Sequence, residues 1–171
     1  MEKNERDLIC KETGRMDFLE SIKCTFDNLS SYNEVNLVQA VQSLNLSFNE
    51  VSKYVTEPKD LEYGRNVIYR SENVEVIVIH LPSMAKTFIH DHGLSIGCIF
   101  VVAGDFLNIL YKLEDKESYP IYDQIEEFSQ NEILLVKEDT IHMMYNPTTS
   151  PVITFHIYTP PLKGGTIYPS P

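Results

Sequence analysis

Residues 88–98 read Phe88-Ile89-His90-Asp91-His92-Gly93-Leu94-Ser95-Ile96-Gly97-Cys98, and this stretch indicates both the fold and the chemistry. Its composition is that of a β-strand, in which successive side chains point to opposite faces. His90 and His92 therefore share one face, roughly 6.5 Å apart along the strand, whereas Asp91 points away. Two imidazoles at this spacing can bind one metal ion.

A third histidine, His142, lies in the segment Thr140–Asn146, which also has the composition of a strand. The chain contains five histidines, and three of them fall in strand-like segments at spacings typical of metal ligands. We therefore expect His90, His92 and His142 to bind a common metal ion. The alternative is that they are ordinary polar residues of strands.

The composition limits the class of protein. A chain of 171 residues suits one domain with a full hydrophobic core. Its net charge of −11 would repel phosphate backbones, so we expect no nucleic-acid partner. No apolar run reaches the ~18 residues of a membrane helix, and the first residues are charged. We expect a cytoplasmic monomer without membrane contact, in which Cys10, Cys24 and Cys98 are free thiols.

The first third of the chain has helical periodicity. Residues 1–14 are mostly charged or polar, and we expect them to be loosely held. Apolar residues recur at spacings of three and four from Phe18 onwards, Asn33 is a plausible N-cap of a second helix, and Ser47 with Glu50 predicts a capping box that opens a third. We expect the apolar faces of these helices to pack against a sheet.

After residue 61 the pattern changes to short strands separated by turn sequences. Residues 112–131 form an acidic connection that we expect to be a surface hairpin or loop. Many short strands at this spacing are typical of a β-sandwich or barrel. We predict one mainly β domain over 1–171, with a helical layer over 1–61 and a β-barrel over 62–171. The predicted strands cover residues 67–69, 74–81, 86–90, 95–102, 106–113, 132–136, 141–145 and 152–158.

The histidine pattern resembles the two metal motifs of the cupin superfamily, whose members are double-stranded β-helix (jelly-roll) barrels with a metal ion inside. Gly97 stands where the usual motif has a glutamate, which leaves three neutral histidines and no carboxylate. Met84, Lys137 and Asp139 occupy positions where the motifs have glycine, proline and glycine. The matching residues are His90, His92, Gly104, His142 and Asn146.

A narrower resemblance, to the cysteine dioxygenases, covers residues 63–164. It is carried by Tyr63-Gly64-Arg65-Asn66, by His90-Asp91-His92 and by the segment Thr154–Pro161, in that order and at similar intervals. The resemblance implies a non-haem Fe(2+) enzyme that adds both atoms of dioxygen to the sulfur of L-cysteine, giving cysteine sulfinate. It implies His90, His92 and His142 as the iron ligands.

One position departs from the vertebrate members of that family. They carry a cysteine where this chain has Gly97, and it forms a thioether with the tyrosine that matches Tyr158. Glycine has no side chain to form that bond, and Cys98 lies one residue further along, on the opposite strand face. We therefore predict that Tyr158 is not cross-linked, as in bacterial members with glycine at this position.

Three neutral histidines would leave the charge of a ferrous ion uncompensated, which favours an anionic thiolate as substrate. The remaining positions would be open to the amine of cysteine and to dioxygen. A zinc site with three histidines, which activates water, is the alternative by ligand type. The family resemblance disfavours zinc.

The resemblance implies that Arg65 binds the substrate carboxylate, since a guanidinium matches a carboxylate in a bidentate fork. Tyr63 would add a hydroxyl near the same carboxylate. Taken alone, Arg65 is better explained by a surface salt bridge, because most arginines are exposed. Its context, Tyr63-x-Arg65-Asn66, favours the substrate-binding role instead.

Thr154, His156 and Tyr158 alternate with two apolar residues and so share one strand face. His156 could bond both hydroxyls and orient the Tyr158 phenol towards the substrate, which makes these three the candidate catalytic residues. A purely structural network is the alternative. His80 matches no motif, and we expect it to be a satisfied core or rim histidine.

Two other functions compete with cysteine oxidation. One is oxidation of another small thiol such as 3-mercaptopropionate, although related enzymes with that substrate tend to have glutamine at the position of Arg65. The other is a non-catalytic cupin that binds a metal and a small acid. That function gives no role to the row of Thr154, His156 and Tyr158.

Overall fold

The computed structural model describes residues 17–115 and 119–169, and the prediction for residues 1–14 lies outside them. Within these residues three helices precede the strands: α1 (Phe18–Asp27), α2 (Glu34–Ser43) and the short α3 (Phe48–Val51), which continues into a 3₁₀ turn at Ser52–Tyr54.

The helix starts follow the expected capping chemistry with one difference. The Asn33 side chain accepts a hydrogen bond from the Asn36 backbone N–H at 2.9 Å, as an N-cap does. Ser47 is the N-cap residue of α3 but caps no backbone N–H, and its hydroxyl bonds the Glu50 carboxylate at 3.0 Å instead. The predicted capping box is therefore wrong, although a helix does begin there.

The described part of the chain has ten strands, which form two five-stranded antiparallel sheets. The first sheet has the order β1-β2-β9-β4-β7 and the second β10-β3-β8-β5-β6. The mainly β architecture with helices at the N-terminal side is as predicted. The strands are β1 (Gly64–Arg70), β2 (Glu75–Leu81), β3 (Ile89–His90), β4 (Ile96–Ala103), β5 (Phe106–Lys112), β6 (Ile121–Phe128), β7 (Ile133–Val136), β8 (Ile141–Tyr145), β9 (Val152–Thr159) and β10 (Ile167–Tyr168).

Two strands were not predicted. β6 lies in the acidic connection and pairs with β5 from Phe106↔Phe128 to Lys112↔Ile121, so the expected hairpin exists but is a regular strand pair. β10 pairs with β3 near the C-terminal end of the described residues.

The helices cover the outer face of the first sheet. Ile22, Phe26 and Val41 are buried against residues of β2, β4 and β9, among them Phe155 and Ile157. A second apolar cluster fills the space between the sheets. β2 and β9 are therefore buried on both faces, and every residue of β9 is buried. Each large apolar side chain buried in this way contributes roughly 1.5–3 kcal/mol.

The turns that lack the cupin glycines keep a backbone suited to glycine. Met84 and Asp139 both have φ of 61°, in the left-handed region that side chains with a Cβ rarely adopt. These are the two positions where the resemblance expected glycine. The turn geometry is therefore retained although its residues have changed.

The cysteines differ in state. Cys98 is a buried free thiol, as expected, whereas Cys24 is disulfide-bonded, so the expectation of a free thiol is wrong for that residue. Cys10 lies outside the described residues.

Within the described residues, no helix has the length and apolar character needed to span a membrane. The division into one domain with two layers stays a prediction.

Candidate metal centre and adjoining cavity

Three histidines meet between two neighbouring strands. His90 ends β3 and is the register partner of His142 on β8, while His92 follows two residues later in the loop. One ring nitrogen from each lies within 4.8 Å of the others. The Nε2 atoms of His90 and His92 are 3.1 Å apart. The residues that the sequence singled out are therefore grouped as a tridentate metal site requires.

Hydrogen bonds on the far side of two rings determine which nitrogen is free. His90 Nδ1 lies 2.8 Å from the Phe88 carbonyl, which can only accept, so Nδ1 donates and Nε2 carries the lone pair. His142 Nδ1 lies 2.7 Å from Asn108 Oδ1. His142 Nε2 is buried with no hydrogen-bond partner within the described residues. A buried lone pair without a donor fits a metal ion.

The protonation state agrees with this geometry. Burial lowers the pKa of His92 to about 3, with a further lowering from His90. Burial also lowers the pKa of His142 far below its ordinary value, and that of His90 to a lesser degree. All three imidazoles are therefore neutral near pH 7, which is the form that binds metal.

A second layer supports His142, and the sequence analysis did not find it. Asn108 on β5 is 1% exposed, and its Nδ2 donates to Glu126 Oε2 on β6 at 3.0 Å. Because a carboxylate only accepts, this bond turns the amide oxygen of Asn108 towards His142. The only signal in the sequence was one amide side chain within the apolar strand β5.

The polar row of β9 forms a continuous chain of hydrogen bonds. Thr154 Oγ1 lies 2.7 Å from His156 Nε2, and His156 Nδ1 lies 2.9 Å from the Tyr158 hydroxyl. All three residues are buried. Burial lowers the pKa of His156 and raises that of Tyr158, so His156 is neutral and Tyr158 carries its proton. The Tyr158 ring centroid is 4.7 Å from that of His92, which joins the row to the metal cluster.

Gly97 lies directly against the Tyr158 ring. The two residues are register partners, and a Cβ at Gly97 would stand 2.8 Å from Tyr158 Cε1. Cys98 packs in the cluster under the helices, on the other face of β4. The only free cysteine among the described residues therefore lies on the opposite face of β4 from the phenol.

A cavity of about 260 Å³ adjoins the three histidines. His156 and Tyr158 line it, whereas Thr154 lies behind His156 and does not. Ile77 and Ile79 of β2 supply an apolar wall. Most of the other lining side chains are polar or charged. A cavity in which polar groups converge opposite an apolar wall can bind a small polar molecule.

Arg65 and Tyr63 reach the same cavity from β1 and the residue before it. Arg65 Nη2 also donates to Glu75 Oε1 at 3.0 Å, and the Arg65 side chain is 36% exposed. Arg65 therefore does form a salt bridge, which was the alternative to substrate binding. Its partner Glu75 is buried, however, and Arg65 lies at the cavity wall. Burial raises the pKa of Tyr63, which keeps its hydroxyl protonated.

The chain after β9 closes one side of the cavity, and Asp91 holds it there. Asp91 Oδ1 accepts hydrogen bonds from the backbone N–H groups of Gly93 at 2.9 Å and Thr166 at 3.0 Å, and Oδ2 accepts from the Tyr168 hydroxyl at 2.8 Å. A Cβ at Gly165 would stand 2.5 Å from the Asp91 carbonyl oxygen. The residue between the two histidines is therefore an anchor for the C-terminal segment.

His80 lies outside the cluster. Its Nδ1 is buried without a hydrogen bond in the described parts of the chain, and it stands 3.9 Å from Glu57 Oε1. His80 is thus a rim residue, as expected, but it is not fully satisfied.

Comparison with known proteins agrees with the cupin architecture. A protein with a double-stranded β-helix domain from Klebsiella pneumoniae is 19% identical, with a TM-score of 0.55 over 70% of this chain and 95% of that one. A cupin-2 domain from Rhodospirillum rubrum is 7% identical, with a TM-score of 0.52 over 68% and 73%. These similarities confirm the predicted cupin fold.

Residues 19–169 match the family described as cysteine dioxygenase type I. The chain therefore belongs to the cysteine dioxygenase type I family.

Proposed function

We propose that this protein is a thiol dioxygenase that uses Fe(2+) and dioxygen to convert L-cysteine to cysteine sulfinate. The observation that carries the proposal is the meeting of three groups at one cavity: the three histidines, the Tyr158 hydroxyl and the Arg65 guanidinium. Family membership supports a thiol as substrate. The cavity chemistry supports a thiol that also carries a carboxylate.

His90, His92 and His142 are the proposed ligands of the ion. When bound there, ferrous iron supplies the redox chemistry that activates dioxygen. The three imidazoles are neutral, so the site retains positive charge and attracts an anionic thiolate. Zinc would fit the same ligands, and metal analysis separates the two.

Arg65 and Tyr63 are the proposed substrate-binding residues. A guanidinium has five N–H donors, so the bond to Glu75 leaves donors for a substrate carboxylate. Arginine at this position favours L-cysteine over 3-mercaptopropionate, on the resemblance described above.

Thr154, His156 and Tyr158 are proposed to control one proton. One nitrogen of His156 must donate and the other accept, so Thr154 and Tyr158 are coupled through the ring. With His156 Nδ1 donating to the phenol oxygen and Nε2 accepting from the Thr154 hydroxyl, the buried Tyr158 keeps its own proton to donate to substrate in the cavity. The row therefore serves to orient the substrate.

The cytoplasmic location, the monomeric state and the absence of a nucleic-acid partner stay predictions.

Oxygen uptake by the iron-loaded protein tests this proposal. We expect uptake with L-cysteine, sulfinate detected by mass spectrometry, and weaker activity with 3-mercaptopropionate and cysteamine. Arg65→Ala should impair the use of cysteine and leave the iron content intact, whereas His142→Ala should remove the iron. Absence of uptake with all three thiols would favour the non-catalytic, acid-binding alternative. Equal iron loss in both variants would contradict the role of Arg65.

A further inference from the structure

Glu75 is a buried carboxylate for which the sequence analysis gave no role. It is the first residue of β2, and its side chain is 2% exposed. In the sheet it is the register partner of Arg70 on β1 and of Tyr158 on β9. A buried carboxylate is unfavourable unless a cation pairs with it, so its partners determine what it does.

Two arginines flank this carboxylate unequally. Arg65 Nη2 donates a hydrogen bond to Glu75 Oε1 at 3.0 Å. Arg70 Nη1 stands 3.5 Å from Glu75 Oε2, and that oxygen has no hydrogen bond in the part of the chain that the structure describes. Arg70 is also the more exposed, at 50% against 36% for Arg65. The stronger of the two contacts is therefore the one made by Arg65.

Without its bond to Glu75, the Arg65 side chain could occupy a second position. Its side chain borders the metal-side cavity and also a separate cleft formed with residues 56–61. Arginine has many rotamers, and an arginine that must be ordered on binding gives weaker binding than one already in place. A fixed partner on one side of the guanidinium restricts it to the cavity wall.

We propose that Glu75 is a positioning residue that holds the Arg65 guanidinium at the cavity wall and so sets the preference for thiols that carry a carboxylate. This inference rests on the role of Arg65 in the proposed function. Glu75 does not line the cavity, and it would act through Arg65.

Glu75 could affect L-cysteine binding in two opposite directions, so the direction of the change in affinity tests the inference. A carboxylate beside Arg65 offsets part of its positive charge, so removing it raises the attraction for a substrate carboxylate if Arg65 stays in place. Positioning predicts weaker binding of the acid when Glu75 is changed, whereas simple charge compensation predicts tighter binding.

The experiment is anaerobic isothermal titration of the ferrous protein with L-cysteine and with cysteamine, which has the thiol and amine but no carboxylate. Glu75→Gln should weaken L-cysteine binding about tenfold and change cysteamine binding less than about twofold, because a charge-assisted bond becomes a neutral one. Glu75→Asp keeps the charge but withdraws the carboxylate, so it should also weaken L-cysteine binding selectively. It replaces Glu75→Gln if that variant does not fold.

Arg70→Gln is the matched control, since it removes the outer cation and keeps the hydrogen bond between Arg65 and Glu75. It should leave the affinity ratio of the two thiols within about twofold of the parent protein. An unchanged ratio in both Glu75 variants, or tighter L-cysteine binding in Glu75→Gln, would overturn the inference. Equal affinity of the parent protein for both thiols would show that Arg65 does not bind the carboxylate, which would overturn the inference at its premise. Oxygen uptake would still test the dioxygenase proposal separately.

Discussion

Replacement of Asn108 by leucine should weaken metal binding without touching a metal ligand. Asn108 Oδ1 accepts from His142 Nδ1 at 2.7 Å in a fully buried position, and leucine of similar size has no acceptor. The ring then either leaves a buried donor unsatisfied or moves its proton to Nε2, the nitrogen that faces the cluster. The first outcome costs about 1–3 kcal/mol. Loss of such a supporting contact typically lowers metal affinity about 10–100-fold.

The assay is competition for Fe(2+) or Co(2+) against a chromophoric chelator under anaerobic conditions, with circular dichroism to check the fold. Asn108→Asp combined with Glu126→Gln is the matched control, because it restores an acceptor for His142 and a donor on β6 with the roles exchanged. The double variant should bind metal as well as the parent protein or better, since an anionic acceptor raises the basicity of the imidazole. A folded Asn108→Leu protein with metal affinity within twofold of the parent would refute the reasoning.

Three further predictions concern the turn, the phenol and the buried thiol. Met84→Gly should raise the free energy of unfolding in urea by about 1 kcal/mol, because it removes a side chain from a positive-φ position; no change would mean the turn is unstrained. Gly97→Ala should lower oxygen uptake and leave metal content unchanged, because its Cβ would stand 2.8 Å from Tyr158 Cε1; full activity would contradict this close packing. Burial raises the pKa of Cys98 from 9.0 to about 12, so the unfolded chain loses this proton first and stability should fall as pH rises from 9 to 12. Cys98→Val should flatten that part of a pH–stability curve, and an unchanged slope would assign the effect to other groups.

The features predicted correctly from the sequence are those that depend on local periodicity. Alternation along a strand is enough to separate the polar row of β9 from Phe155. The same argument grouped His90 with His92, and their rings do meet, but β3 ends at His90 and His92 reaches the cluster from the loop that follows. The N-cap at Asn33 is likewise a property of three or four neighbouring residues. Each of these inferences needs no knowledge of what lies across the sheet.

The features that were missed depend on register between distant segments. β6 was not recognised because four of its eight residues are charged or amide side chains and most of it is exposed, which is the character of an edge strand paired on one side. Asn108 meets Glu126 only through the β5–β6 register, and Asp91 meets Thr166 only because the chain returns 75 residues later. A single polar residue in an apolar strand indicates a buried hydrogen bond, but it does not identify the partner.

The helical layer explains how β9 can carry a polar row inside the protein. The hydrogen bonds among Thr154, His156 and Tyr158 contribute little net free energy, since they mainly replace bonds made with water. The opposite face of the same strand packs against the helices, with the Phe18 and Phe155 rings 6.3 Å apart at their centroids. Apolar burial on that face stabilises the strand whatever the inner face carries. The three described helices thus line no part of the cavity, yet they allow the inner face of β9 to be chosen for chemistry rather than for packing.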